Sequence, residues 1–429
     1  MKPILKLFPL LGMSVVLFSC SPRVSPYQDG KTYDVSFKHD GTVKATLKKV
    51  KGGFNLVVKG TGRTKSYEDE SKTPWHYISK RIIGLEVKEG ITTIGNYLFY
   101  SLTSVKGCLL PSTITAIGRD GFNENHELYS MSGDSITNAC DATIYFYQEE
   151  MPEESGKYWH YKNGVPTAWT TLKMLFIGNS FTYYYDIPKL VEGLGKSLNE
   201  MIQVDYVVKG SATLSNHANH SSETGVQIQN KLLENDDYKY VVLQEQSTTP
   251  ITNYNNFKSG ASSLAADIKK TQKNCKVVLY STWGFQEVAT SQNKSIPEVE
   301  EMIRTNYIKC ANEVNNIDDV NFVGPAFSKV YTEYENINLY YGDNKHQSKY
   351  GAYLSACVHV LSMIEGIDID STDFFGTKPG SYVNTNDPDA QSPTNFGDGI
   401  DETTARALIE VAKDTVARYS IDVDDSEQE

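Results

Sequence analysis

Lys173-Met174-Leu175-Phe176-Ile177-Gly178-Asn179-Ser180-Phe181-Thr182 is the stretch that decides how the chain is read. Met174 to Ile177 leave no room for alternation of apolar and polar residues, which predicts a strand buried on both faces, as in a parallel sheet. The run stops at Gly178-Asn179-Ser180, ahead of a helix predicted around Ile187 to Asn199. Ser180 is therefore expected at the carboxyl end of a parallel strand. Ligands of open α/β sheets bind at that end, so a hydroxyl delivered there by a tight turn stands where a nucleophile is needed. Taken alone, Gly-Asn-Ser is equally good turn chemistry, and the rest of the chain has to decide.

From Leu172 onward strands and helices alternate. Ile202 to Val208, Tyr240 to Leu243, Lys276 to Tyr280 and Asn321 to Val323 read as strands. Helices are predicted over Asn256 to Gln272, Val299 to Val314, Gly351 to Met363 and Glu402 to Tyr419. This order predicts an α/β domain over residues 171–421, built on a doubly wound parallel sheet. Asp373 to Asp398, rich in Gly, Pro, Asn and Thr, reads as a long loop, and residues 422–429 form an acidic tail.

A serine nucleophile needs a histidine base, itself oriented by a carboxylate. Tyr341-Gly342-Asp343-Asn344-Lys345-His346-Gln347-Ser348 offers both, just ahead of the helix expected near Gly351. Asp-x-x-His is common by chance, and it gains meaning by following the last strand of a sheet whose first strand ends in Gly-Asn-Ser. Acyl transfer also needs donors for the developing oxyanion. Gly210 follows the second strand, where the absence of a Cβ lets a backbone N–H approach closely, with Ser211 as the other register. Gln244 and Gln246 follow the third strand and carry side-chain amides. His217 and His220 lack acidic or Cys partners at metal-binding spacing, so no metal site is expected. His359 lies in an apolar helix and reads as a core residue, while Trp283 suits a pocket wall or plain packing.

These blocks resemble the SGNH hydrolases, the GDSL esterase and lipase superfamily, over Leu172 to about Tyr419. The resemblance implies that Ser180 is nucleophile and oxyanion donor, Gly210 the second donor, His346 the base and Asp343 its orienting carboxylate. Asn179 departs from the family's Asp and matches an uncharacterised branch with Gly-Asn-Ser-Phe and Leu-Gln-x-x-Ser blocks. The family's third-block Asn is missing, so Gln246, or else Gln244, has to replace it. The resemblance implies ester hydrolysis through an acyl-enzyme without cofactor, on an acetyl or similar ester of a carbohydrate. The alternative is an envelope binding or adhesion protein whose hydrolase fold is idle.

Ahead of the catalytic blocks, 429 residues leave room for a second domain. Residues 1–19, with Lys2 and Lys6 before the apolar Leu7 to Phe18, predict a secretory signal too short to span a membrane comfortably. Leu17-Phe18-Ser19-Cys20 resembles a bacterial lipobox, which implies lipidation of Cys20, and Ser21 implies the outer membrane, periplasmic or surface face left open. Residues 20–34 read as a tether. Within a β-rich domain over 35–150, Ile91-Thr92-Thr93-Ile94-Gly95 is matched by Ile114-Thr115-Ala116-Ile117-Gly118 at an offset of 23 residues. A fixed period of this size marks a solenoid. The pattern resembles BspA-like leucine-rich repeats, which implies a module that binds a protein or glycan, or one that only spaces the catalytic domain from the membrane. Residues 151–170 read as a linker. The net charge of −12 argues against a nucleic-acid partner. Cys108, Cys140, Cys275, Cys310 and Cys357 are widely spaced and odd in number, which predicts buried thiols and no disulfide framework.

Overall fold

The structure, a computed structural model, describes residues 29–133, 135–235, 237–369 and 399–421. The signal segment, Cys20, the loop at 373–398 and the tail at 422–429 lie outside the described residues. The chain divides into two compact units, Met1–Glu150 with Gly156–Ala168, and Met151–Ser155 with Trp169–Glu429.

The first unit is a stack of short strands. Ile91–Ile94 pairs in parallel with Ala116–Ile117, setting Thr93 against Ala116 and Ile94 against Ile117, so the ladder register equals the 23-residue period. The repeat is thus a physical stack: Ile91, Ile94 and Phe99 in one turn and Ile114, Ile117 and Phe122 in the next bury against one another. Gly62–Arg63 and Thr137–Asn138 extend this sheet on its two sides. Gly107–Leu110, Glu127–Ser130 and Thr143–Tyr147 form a second parallel row. Two boundaries differ from expectation. The tether ends early, because Thr32–Asp34 is already an edge strand on Val43–Val50. The expected linker at 151–170 holds a hairpin, Tyr158–Lys162 and Val165–Ala168, whose first strand joins Thr143–Tyr147. Its turn is Asn163-Gly164, both at positive φ (52° and 77°), the backbone a two-residue hairpin requires.

The second unit carries five parallel strands: β1 (Leu172–Gly178), β2 (Ile202–Val208), β3 (Tyr238–Leu243), β4 (Lys276–Ser281) and β5 (Asp319–Phe322), in the order β2-β1-β3-β4-β5. β1 is an interior strand, paired on both sides, and Met174 to Gly178 are buried without a break, as a strand covered on both faces must be. Helices Ile187–Ser197, Lys349–Met363 and Glu402–Arg418 pack together, and Glu223–Glu234, Tyr254–Thr271 and Ile296–Glu313 form a second group. Right-handed crossovers put the two groups on opposite faces, so the sheet is doubly wound. The strand order reverses between β1 and β3, and the crevice at that switch point is where such sheets bind ligands. Among the described residues no helix is long and apolar enough to cross a membrane. The five cysteines of the described residues are all buried and unpaired.

Candidate active site

β1 ends at Gly178, where a Cβ would collide with Thr182 Oγ1 and the Gln244 side chain, so only glycine lets the chain turn there. Asn179 caps the short helix Ser180–Tyr183, its Oδ1 accepting from Phe181 N at 3.2 Å. Ser180 thereby stands at the helix start with its N–H outside the helical bonding pattern.

The second arm comes from the turn ahead of helix Lys349–Met363. Asn344, at φ 57°, reverses the chain, and Asp343 Oδ1 accepts from Lys345 N and His346 N, both at 3.0 Å. Asp343 Oδ2 then lies 2.5 Å from His346 Nδ1, and His346 Nε2 lies 2.7 Å from Ser180 Oγ. A carboxylate accepts only, so Nδ1 carries the proton and the unprotonated Nε2 faces the hydroxyl. Three residues 166 positions apart at the extremes thus form one hydrogen-bonded line. Burial holds the His346 pKa below its ordinary 6.5, against the opposing pull of Asp343. Asp343 feels a smaller upward push from burial than the downward pull of the His346 ring and the two N–H bonds, so its carboxyl stays ionised.

Aromatic packing fixes the imidazole. Tyr184 stacks on it at 4.1 Å with planes 11° apart, and Phe181 meets it edge-on at 5.4 Å. Trp283 is fully buried between Phe181 and Phe327, stacked at 4.5 and 4.1 Å, and its Nε1 donates to Lys345 O at 3.0 Å. Of its two sequence readings, the structure selects packing, and that packing holds both the serine turn and the histidine turn. Gln347, which the sequence reading passed over, donates through Nε2 to Phe181 O (3.2 Å) and Tyr184 O (3.0 Å). Its adjacency to His346 was the available signal.

The second-block loop runs from Lys209 to Thr213. Lys209 N donates to Gly178 O at 3.1 Å, and Ala212 N closes a turn on Lys209 O at 3.1 Å. The left-handed conformation in this turn falls on Ser211, at φ 59°, while Gly210 takes none. A Cβ on Gly210 would meet Tyr183 Oη at 3.2 Å. Among the described residues neither Ser180 N–H nor Gly210 N–H has a protein acceptor.

The two glutamines part company. Gln244 is fully buried, and its Oε1 accepts from Asn179 N (2.8 Å) and Thr182 Oγ1 (2.9 Å), so it holds the serine turn from beneath. Gln246 is half-buried, and its Oε1 accepts from the N–H and hydroxyl of both Thr248 and Thr249 at 2.9 to 3.1 Å. Its Nε2 makes one long contact, 3.3 Å to Ser247 Oγ. The carboxamide is thus oriented by its oxygen, with one amide hydrogen left over. Between them, Glu245 is fully buried, its carboxyl accepting from Gln246 N at 2.6 Å and Leu214 N at 3.2 Å, and burial pushes its pKa up to about 7.

The remaining histidines diverge. His217 is buried, Nε2–H donating to Gly178 O at 2.9 Å, and burial lowers its pKa to about 4. His220 faces outward onto Asp267 at 2.6 Å. Among the described residues no group of three metal-ligating side chains converges. His359 is a core residue bonded through Nδ1 to Asn321 at 2.7 Å, and among the described residues its Nε2 has no partner.

No protein-family model and no curated protein matches the chain. Among solved structures it is similar to a protein from Slackia heliotrinireducens described as a candidate SGNH hydrolase, with 23% identity, 44% of this chain and 98% of that one covered, and a TM-score of 0.39. It is also similar to a DUF4886 family protein from Bacteroides uniformis, with 16% identity, 58% and 96% covered, and a TM-score of 0.47. A leucine-rich repeat protein from Eubacterium ventriosum is 22% identical, with 34% and 38% covered and a TM-score of 0.23. At these TM-scores the likenesses decide nothing about the chemistry, which rests on the geometry of Ser180, His346 and Asp343.

Proposed function

We propose that the protein is a serine ester hydrolase of SGNH type that works through an acyl-enzyme. The observation that carries this reading is the line Asp343 Oδ2, His346 Nδ1, His346 Nε2, Ser180 Oγ, with contacts of 2.5 and 2.7 Å, at the switch point of the sheet. Ser180 Oγ attacks the ester carbonyl while its proton passes to His346 Nε2. Asp343 holds the imidazole in the required tautomer and stabilises the imidazolium that forms. The oxyanion takes the N–H groups of Ser180 and Gly210, with the Gln246 amide as a third donor. His346 returns the proton to the leaving alkoxide, which departs as the alcohol and leaves the acyl group on Ser180. Water, losing its proton to His346, then hydrolyses the acyl-enzyme to the carboxylic acid and restores Ser180.

The substrate in this reading is an acyl ester of a carbohydrate, an acetyl ester first. The chain is proposed to be carried on the outer membrane by lipid on Cys20, with the BspA-like repeat module as a binding or spacing domain. No cofactor has a role in this chemistry. The test is turnover of a small activated acetyl ester and then of acetylated glycans by the full chain, with Ser180→Ala beside it. Turnover that is absent, or that survives Ser180→Ala, ends the hydrolase reading.

A further inference from the structure

We propose that Asn179 is a positioning residue that sets the oxyanion donor of Gly210 against Ser180, an inference that rests on the esterase reading above. The family resemblance offers Asp at this position, and the structure gives a reason for the amide. Asn179 is 2% exposed, and each end of its carboxamide is used. Oδ1 accepts from Phe181 N at 3.2 Å, which caps the helix that begins at the nucleophile. Nδ2 donates to Ala212 O at 3.0 Å, which is on the loop that carries Gly210. One side chain therefore ties the two backbone segments whose N–H groups are left without a protein acceptor.

The loop needs that tie. Its left-handed residue is Ser211, a non-glycine residue in a conformation that its surroundings must stabilise. Three anchors surround the turn: Lys209 N on Gly178 O before it, Asn179 Nδ2 on Ala212 O within it, and Leu214 N on the Glu245 carboxyl after it. Only the middle one reaches the turn from the nucleophile's own cap. Oxyanion stabilisation demands donors preset to within a fraction of an ångström, so the spacing of Ser180 N–H and Gly210 N–H is the quantity this bond controls.

Asn179→Asp separates positioning from capping. Aspartate caps a helix as well as asparagine, so a purely structural cap loses nothing on the exchange. The carboxylate cannot donate, however, and its second oxygen would face the Ala212 carbonyl, pushing the loop away. The experiment uses the full chain and compares wild type with Asn179→Asp in three measurements. They are steady-state hydrolysis of a small acetyl ester, inactivation by an organophosphonate whose P=O oxygen needs the same donors, and carbethoxylation of His346. Expected are a fall in kcat of roughly 10- to 100-fold with KM within about twofold, an equal fall in the phosphonylation rate, and an unchanged rate at His346. Wild-type kcat in the variant overturns the proposal, and so does a parallel change in His346 labelling, which would place the effect in the fold at large. A wild type that turns over no ester removes the esterase reading itself, and an active wild type with an equally active Asn179→Asp removes this inference alone.

Discussion

Glu245→Gln should make the protein more resistant to unfolding at alkaline pH, by an amount that grows with pH. The carboxyl is fully buried beside Leu214 N and Gln246 N, among the described residues no cation bonds to it, and burial raises its pKa from 4.5 to about 7. Folding therefore binds its proton more tightly than the unfolded chain does. The stability that this protonation contributes is complete below pH 4.5 and is lost as pH rises through about 7. A gap of about 2.5 pH units at about 1.4 kcal/mol each makes the ionised side chain cost the fold roughly 3 kcal/mol. Glutamine keeps an oxygen for both N–H groups and never ionises. The stability difference, variant minus wild type, should thus rise by roughly 3 kcal/mol between pH 4.5 and pH 8.5. In a unit of this size that is on the order of 6 to 12 °C in the melting temperature. Scanning calorimetry at several pH values measures it, and the constant cost of the exchange cancels because only the change with pH is read. Asp186, whose pKa burial also raises to about 7, titrates in both proteins and cancels likewise. A gap that stays flat across this range would refute the argument, because it would mean that Glu245 is solvated or paired in solution.

His346→Ala should be nearly as damaging as Ser180→Ala, and the double variant little slower than either, because triad members act as a unit. Asp343→Asn should leave more residual activity. With burial the leading influence on His346, kcat/KM should fall on the acid side with an apparent pKa below 6.5, and Asp343→Asn should move that limb lower still by removing the opposing charge. A pH–rate profile checks both, and a limb above 7 contradicts them. Gln244→Ala should be the more destabilising of the two glutamine variants, by about 2 kcal/mol or more in urea unfolding, because it strips the acceptor from two buried donors, Asn179 N and Thr182 Oγ1. Gln246→Ala should instead lower kcat by about 10-fold or more with KM nearly unchanged, and a silent result would leave Gln246 as only the anchor of Thr248 and Thr249.

The parallel sheet and its first block were legible because continuous burial leaves an unbroken apolar signature at β1, and because a Gly-led turn with a helix after it fixes where the strand stops. Ser180, Asp343 and His346 could be named for a related reason: both arms sit on turns whose local chemistry, Gly178-Asn179 and Asp343-Asn344, is written in short-range sequence. The helices at Glu223–Glu234 and Val323–Glu333 escaped. The first buries only Ile228 and Leu232 as large apolar residues, which is too thin a stripe to show a helical period. The second opens with Val323-Gly324-Pro325, which reads as a break although a first-turn proline loses no helical bond. The Asn163-Gly164 hairpin carried its own signal and was masked by the charged, Pro-containing stretch before it.

The glutamines mark where sequence reasoning stops for a physical reason. Past Leu243 the chain leaves the ladder, so the strand's two-residue alternation no longer says which side chain turns under the sheet edge and which toward the crevice. Gln244 lies under the serine turn because Gly178 leaves room for it there, a condition set by a residue 66 positions earlier. Trp283 poses the same problem. Its burial between Phe181 and Phe327 depends on three separate segments meeting, and its one polar atom is satisfied by Lys345 O, on the turn that presents His346. A pocket wall and a core brace demand the same residue type after the same strand. What separates them is which long-range neighbours arrive, and in this fold those neighbours include the flanks of the turns that carry Ser180 and His346. The indole, fully buried, thereby couples the position of Ser180 to that of His346.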